Sequence, residues 1–211
     1  MTWNILHHFS HEGASPTPIA FLGVDSVTQG DWKPAYGVEG ACLFTAQGPV
    51  VSETFPGTIE VAGASYEEFA ALSSDPRALE LPGPGARRLA AAAFGHQNLR
   101  IQVSLPPSIP YPTGIYLVDW NNVRAELRVK VFDDDAGGVE LSSQEIELSD
   151  RGTYVLYRLW GRKTIQVENL NEDRPGSRPT FSGFFVGGAG RAHFHGHDLG
   201  SPTGGIRGGL D

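Results

Sequence analysis

The sequence predicts an all-β fold, an antiparallel β-sandwich or barrel, on three observations. Apolar and polar residues alternate with a period of two in several short segments. Helical patterning is confined to one stretch, Tyr66 to Leu72. Glycine (27) and proline (15) make about a fifth of the 211 residues and fall largely between the alternating segments. Many short strands separated by Gly, Pro and Asp turns are the pattern of a sandwich or barrel. No repeat of propeller or solenoid type is present.

Taken along the chain, Ile19 to Asp25, Gly40 to Thr45 and Thr58 to Val61 read as strands. Tyr66 to Leu72 reads as a short helix, with Glu67 and Glu68 favourable in its first turn. Ala90 to Ala93 has helical propensity. Pro84-Gly85 before it and Gly95 after it leave room only for a short element, so Arg88 to Phe94 reads as a strand. Leu99 to Leu105 places Ile101, Val103 and Leu105 on one face. Pro106 to Pro112, with four prolines, is a rigid crossing segment. Arg124 to Phe132 is the clearest strand: Ala125, Leu127, Val129 and Val131 point inward, and Arg124, Glu126, Arg128 and Lys130 outward. Lys163 to Asn169 repeats the pattern with Ile165 and Val167. Ile115 to Val118, Tyr154 to Tyr157 and Phe181 to Val186 are apolar on both faces, so these strands are central or covered by a loop. Asp133 to Gly138 and Asp150-Arg151-Gly152 are turns.

This divides the chain into an N-terminal arm (1–17), a sandwich domain (18–188) and a Gly/His-rich C-terminal arm (189–211). Arms of this kind lock subunits economically by crossing to neighbours, so a homo-oligomer is expected. The net charge of −8 disfavours nucleic acid and anionic membrane surfaces, both of which reward basic excess. No apolar run approaches ~18 residues, and residues 1–11 lack a signal peptide's basic start and apolar stretch. Synthesis in the cytoplasm with a virion or cell-surface destination fits. Cys42 is the one cysteine, which excludes an intrachain disulfide. Its apolar strand predicts inert burial.

Five ordered segments carry a family resemblance. They are Phe21-Leu22-Gly23-Val24-Asp25-Ser26-Val27-Thr28-Gln29-Gly30-Asp31-Trp32 followed by Tyr36-Gly37; Ser74 to Leu79; Tyr116 to Asn122 with Arg124; Gly152 to Gly161; and Ser182-Gly183-Phe184-Phe185. Together they resemble a bacterial galactose-binding-like, carbohydrate-binding-module-like β-sandwich found as an appendage in large secreted proteins. The match spans about residues 19–187 and departs from the family pattern at Pro34-Ala35. The resemblance implies a jelly roll and a non-catalytic role.

Each candidate site has a structural alternative. The Thr28–Tyr36 loop offers Gln29, Asp31, Trp32 and Tyr36, the aromatic, amide and carboxylate types that hold sugars. A Trp and a Tyr beside glycines equally well cap one end of a sandwich. Trp120 and Asn121 form a second ligand candidate, beside Asp119, whose carboxylate needs a partner such as Arg77 or Arg124. Asp25 and Asp119 could instead share a Ca²⁺. Asp133-Asp134-Asp135 lacks EF-hand spacing and reads as a solvated turn. His193, His195 and His197 share a face when extended and suit a transition metal, with His7 and His11 a weaker pair; a His-rich tail contacting a neighbour is the alternative. No nucleophile elbow, zinc-protease motif or phosphate loop occurs, so no enzyme activity is expected. The leading expectation is a non-catalytic module recognising carbohydrate through loop aromatics. The alternative is a structural subunit of a virion, sheath or surface layer, with copies of itself as partner.

Overall fold

The computed structural model describes residues 19–188, so the two arms, with His193, His195 and His197, lie outside the described residues. Among the described residues there are fifteen strands and no helix. The strands are β1 (Ala20–Asp25), β2 (Gly40–Thr45), β3 (Gly48–Val51), β4 (Thr58–Ala62), β5 (Ser65–Ala70), β6 (Leu79–Glu80), β7 (Arg88–Phe94) and β8 (Asn98–Ser104). They continue with β9 (Tyr111–Leu117), β10 (Glu126–Asp133), β11 (Val139–Glu147), β12 (Thr153–Leu159), β13 (Arg162–Asn169), β14 (Thr180–Phe181) and β15 (Gly183–Val186).

A six-stranded sheet runs β1-β12-β9-β15-β2-β3, a five-stranded sheet runs β11-β10-β13-β8-β4, and a smaller sheet runs β14-β7-β5 with β6 on β7. The pairings β10·β11, β9·β12, β8·β13, β7·β14 and β2·β15 are nested and antiparallel. The first three alternate between the five- and six-stranded sheets. A long hairpin wound around a barrel axis gives this order, which is the jelly roll expected from the sequence.

Alternation builds the core. Leu127, Val129 and Val131 of β10, Leu99, Ile101 and Val103 of β8, and Ile165 and Val167 of β13 are fully covered. They belong to one apolar cluster with Ile115, Leu117, Val155, Tyr157, Phe184 and Val186 of the six-stranded sheet. At roughly 1.5–3 kcal/mol per buried aliphatic or aromatic side chain, this layer dominates the driving force. The other face of the six-stranded sheet is also dry. Tyr116, Tyr154, Leu156 and Phe185 form a second cluster with Trp32, Tyr36 and Leu79. Strands apolar on both faces are thus central and covered by loops at once.

The structure corrects the sequence expectations in several places. Tyr66–Leu72 is not a helix; β5 pairs with β7, and a register shift between Glu68 and Ala70 rephases the strand. Tyr66 stacks on Phe44, and Phe69 on Trp120. Arg124 lies outside β10 with φ at +55°. Ser182 separates β14 from β15. Pro112 lies within β9, where it presents a carbonyl to the Gly187 N–H at 2.8 Å. The acids of Asp133–Asp135 are engaged: Lys163 Nζ donates to Asp133 (3.0 Å), Thr164 Oγ1 to Asp134 (2.9 Å) and Arg162 Nε to Asp135 (2.8 Å).

Candidate functional site

The Thr28–Tyr36 loop folds inward. Trp32 is 7% exposed and Tyr36 2% exposed. The Trp32 ring packs 4.9 Å from Phe185, and its Nε1 donates to Glu80 O at 2.8 Å. Tyr36 stacks on Tyr154 at 4.4 Å and donates its hydroxyl to Asp25 at 2.7 Å. Three more contacts fix the loop layer. Tyr154 OH donates to Gln29 O, Tyr116 OH to Arg77 O (2.8 Å), and the Gly30 N–H to Pro76 O (2.9 Å). Asp31 is exposed and ion-paired to Arg88, which also donates to Ala78 O. Trp32 and Tyr36 therefore cap the sandwich, and neither offers an open ring face for a sugar. The first motif encodes this cap. Gly30 has Ala78 O where a Cβ would stand, at 1.9 Å, and Gly37, at φ +71°, lies against the Trp32 ring.

The carboxylates are likewise occupied. Asp25, 2% exposed, accepts from Val27 N, Thr28 N, Thr28 Oγ1 and Tyr36 OH. Burial pushes its pKa up, but these hydrogen bonds outweigh burial and hold it below the usual range. Burial and the Asp25 charge push the Tyr36 hydroxyl well up, so it stays a donor. Asp119 accepts the Ala125 N–H at 3.2 Å. Arg77 instead forks onto Asp75 and donates to Asp119 O and Asn122 Oδ1. The Asp75 bonds push the Arg77 pKa up, and the same bonds hold Asp75 down. Among the described residues no three His, Cys, Asp or Glu side chains converge as a metal site. Cys42 is buried, its thiol pushed up to about 12 by burial.

Trp120 is held between Phe69, 5.5 Å away and stacked, and the Arg77 guanidinium, 5.1 Å from the ring centre. Asn121 beside it is exposed. This second candidate borders a feature that sequence reasoning missed. Where the β4–β5, β7–β8 and β13–β14 connections meet, a pocket of about 680 Å³ opens at one end of the sandwich. That size lies within the range of small-ligand sites. His96, Gln97 and Glu172 are exposed on its rim, and their side chains make no hydrogen bond to other described residues. Its back wall is Phe94, with the Arg178 guanidinium 3.6 Å over the ring and paired to Glu67.

Local chemistry holds the pocket open. Asn169 Nδ2 donates to Ser177 O (3.1 Å) and Ser177 Oγ to Asn169 Oδ1 (2.8 Å), which closes the base of the β13–β14 loop. Gly95 keeps the β7–β8 turn tight, since a Cβ there would meet Asn98 O at 2.0 Å. The result is an imidazole, an amide and a carboxylate presented together beside a guanidinium plate. Such a set donates and accepts within one concave surface.

No family model matches the chain, and no curated protein matches it. Among solved structures, the chain is similar to TmCBM61, solved in complex with β-1,4-galactotriose. The identity is 16% over 63% of this chain and 85% of that one, with a TM-score of 0.31. It is also similar to a structure holding CBM51-2 in complex with GlcNAc and INT domains from Clostridium perfringens ZmpB. Here the identity is 8% over 81% of this chain and 40% of that one, with a TM-score of 0.34.

Proposed function

We propose that this chain is a non-catalytic carbohydrate-binding domain whose ligand sits in the end pocket against His96, Gln97, Glu172 and Arg178. The observation that carries the proposal is the set of three unengaged polar side chains facing one pocket of about 680 Å³. A sugar hydroxyl donates one hydrogen bond and accepts two, so it needs partners of both kinds at close quarters. An amide supplies both, a carboxylate accepts, a guanidinium donates, and an imidazole does either. A phosphate ligand would face the carboxylates Glu67 and Glu172 and a chain of net charge −8. The plane of His96 offers a flat surface on which a sugar's C–H face packs.

A glycan array followed by isothermal titration tests this. The folded chain is expected to bind a neutral glycan. His96→Ala and Gln97→Ala are each expected to weaken it about tenfold, the worth of one hydrogen bond of ~1–1.5 kcal/mol. Both side chains are exposed, so melting should be unchanged. A folded chain that binds no glycan, or binding indifferent to both substitutions, refutes the proposal.

A further inference from the structure

Beside the wall of Phe94 and Arg178 lies a second, smaller space with room for about one water-sized group, about 10 Å³. Phe69, Trp120, Val123, Gly176 and Thr180 line it. Two of its polar atoms, Trp120 Nε1 and Thr180 Oγ1, are buried without a hydrogen-bond partner among the described residues. Thr180 is 3% exposed. Buried unpartnered donors are uncommon because each forfeits its hydration, and here two belong to residues that line one chamber. The loop that carries Trp120 is strained as well. Asn122 and Arg124, neither of them glycine, hold φ at +52° and +55°, and such residues cluster at ligand clamps.

Phe94 and Arg178 belong to both the chamber and the end pocket, so one wall divides them. The movable part of that wall is the Arg178 side chain. Its ion pair with Glu67 is part-exposed on both sides and therefore weak. An Arg178 side chain turned outward would leave only Phe94 in common between the two linings.

We propose, on the basis of the carbohydrate reading above, that this chamber is an inner subsite for the exocyclic hydroxymethyl group of a hexose. Arg178 is the plug that the ligand displaces. The chemistry fits that group in both halves. Its CH₂ meets Phe69, Phe94 and Val123, and its hydroxyl accepts from Trp120 Nε1 and pairs with Thr180 Oγ1. Ring hydroxyls are attached directly to the ring and stay in the outer pocket. The extra carbon of the hydroxymethyl arm lets its oxygen pass the wall.

The test uses the full chain and four probes in two matched pairs. Methyl β-D-galactopyranoside is paired with methyl α-L-arabinopyranoside, and methyl β-D-glucopyranoside with methyl β-D-xylopyranoside. Each pentoside lacks only the hydroxymethyl arm. At least one hexoside should bind about tenfold tighter than its pentoside. Thr180→Val should bring that hexoside down to the pentoside level without affecting the pentoside, and Thr180→Ser should restore it. In a ¹H–¹⁵N spectrum the Trp120 indole resonance should move with the hexoside and stay still with the pentoside. Equal binding of both members, with Thr180→Val silent and the indole resonance unmoved, overturns the inner subsite and leaves the end pocket standing. Failure of the folded chain to bind any glycan, these four and the array included, overturns both.

Discussion

Replacing Trp32 with alanine asks whether the aromatic loop is architecture or a ligand platform. The indole is nearly covered, packs on Phe185 at 4.9 Å and bonds the Glu80 carbonyl at 2.8 Å. Truncating a buried aromatic side chain costs ~3–5 kcal/mol through lost transfer energy and the cavity left behind. Trp32→Phe keeps most of the ring and loses the hydrogen bond, so it should cost about 1–2 kcal/mol. For a chain of this size 1 kcal/mol corresponds to roughly 2–4 °C, so the alanine variant should melt about 6–20 °C lower. Urea unfolding followed by circular dichroism, with the slope compared between variants, measures the loss. At temperatures where the alanine variant is folded, glycan affinity should stay within a factor of about two or three of the parent, a few tenths to about 0.6 kcal/mol. An alanine variant that keeps its unfolding midpoint but loses glycan binding would refute the reasoning: Trp32 would then be a platform.

Two further outcomes follow from the same layer and its neighbours. The folded-state pKa values of Asp25, Asp75 and Glu168 are held below their unfolded values. Their stabilisation is complete above about pH 5 and is lost as pH falls through the folded values, so unfolding midpoints should be flat from about pH 5 to 8 and fall in acid. Asp25→Asn should flatten that fall in a pH series of melts. Gly30→Ala drives a Cβ into the Ala78 carbonyl, backbone that cannot turn aside as a side chain would. It should cost ~1–3 kcal/mol in denaturant unfolding, whereas Gly63→Ala, with nothing within 4 Å, should cost only its φ strain.

Much of the sandwich was legible because burial on one face writes itself into alternation. Leu127, Val129 and Val131 against Arg128 and Lys130 admit no other reading. Strands β9, β12 and β15 were legible for the opposite reason, being apolar on both faces. β11 escaped because Val139–Glu147 is an edge strand with only partial cover on either face. Tyr66 and Phe69 are spaced like a helical pair, and only the register shift on β7 makes that spacing a strand's. The loop aromatics show the limit most clearly. Trp32 and Tyr36 among glycines look alike whether open or closed, because a distant stretch around Pro76 to Glu80 decides their burial. The end pocket had no signal at all in spacing. His96 and Gln97, Glu172 and Arg178 come from two separate connections, and only the fold makes them neighbours. The polar His96-Gln97-Asn98 run at a turn was the one available hint.

The place of β15 in the six-stranded sheet has a consequence for how the chain is made. It sits between β9 and β2, pairing with both, yet among the described residues it is the last strand in sequence. Until Val186 has left the ribosome, two long backbone ladders wait with bare edges and no common neighbour. Assembly of that layer therefore waits on β15 by geometry. A nascent chain stalled before Gly183 would carry two unpaired strand edges, a surface prone to aggregation.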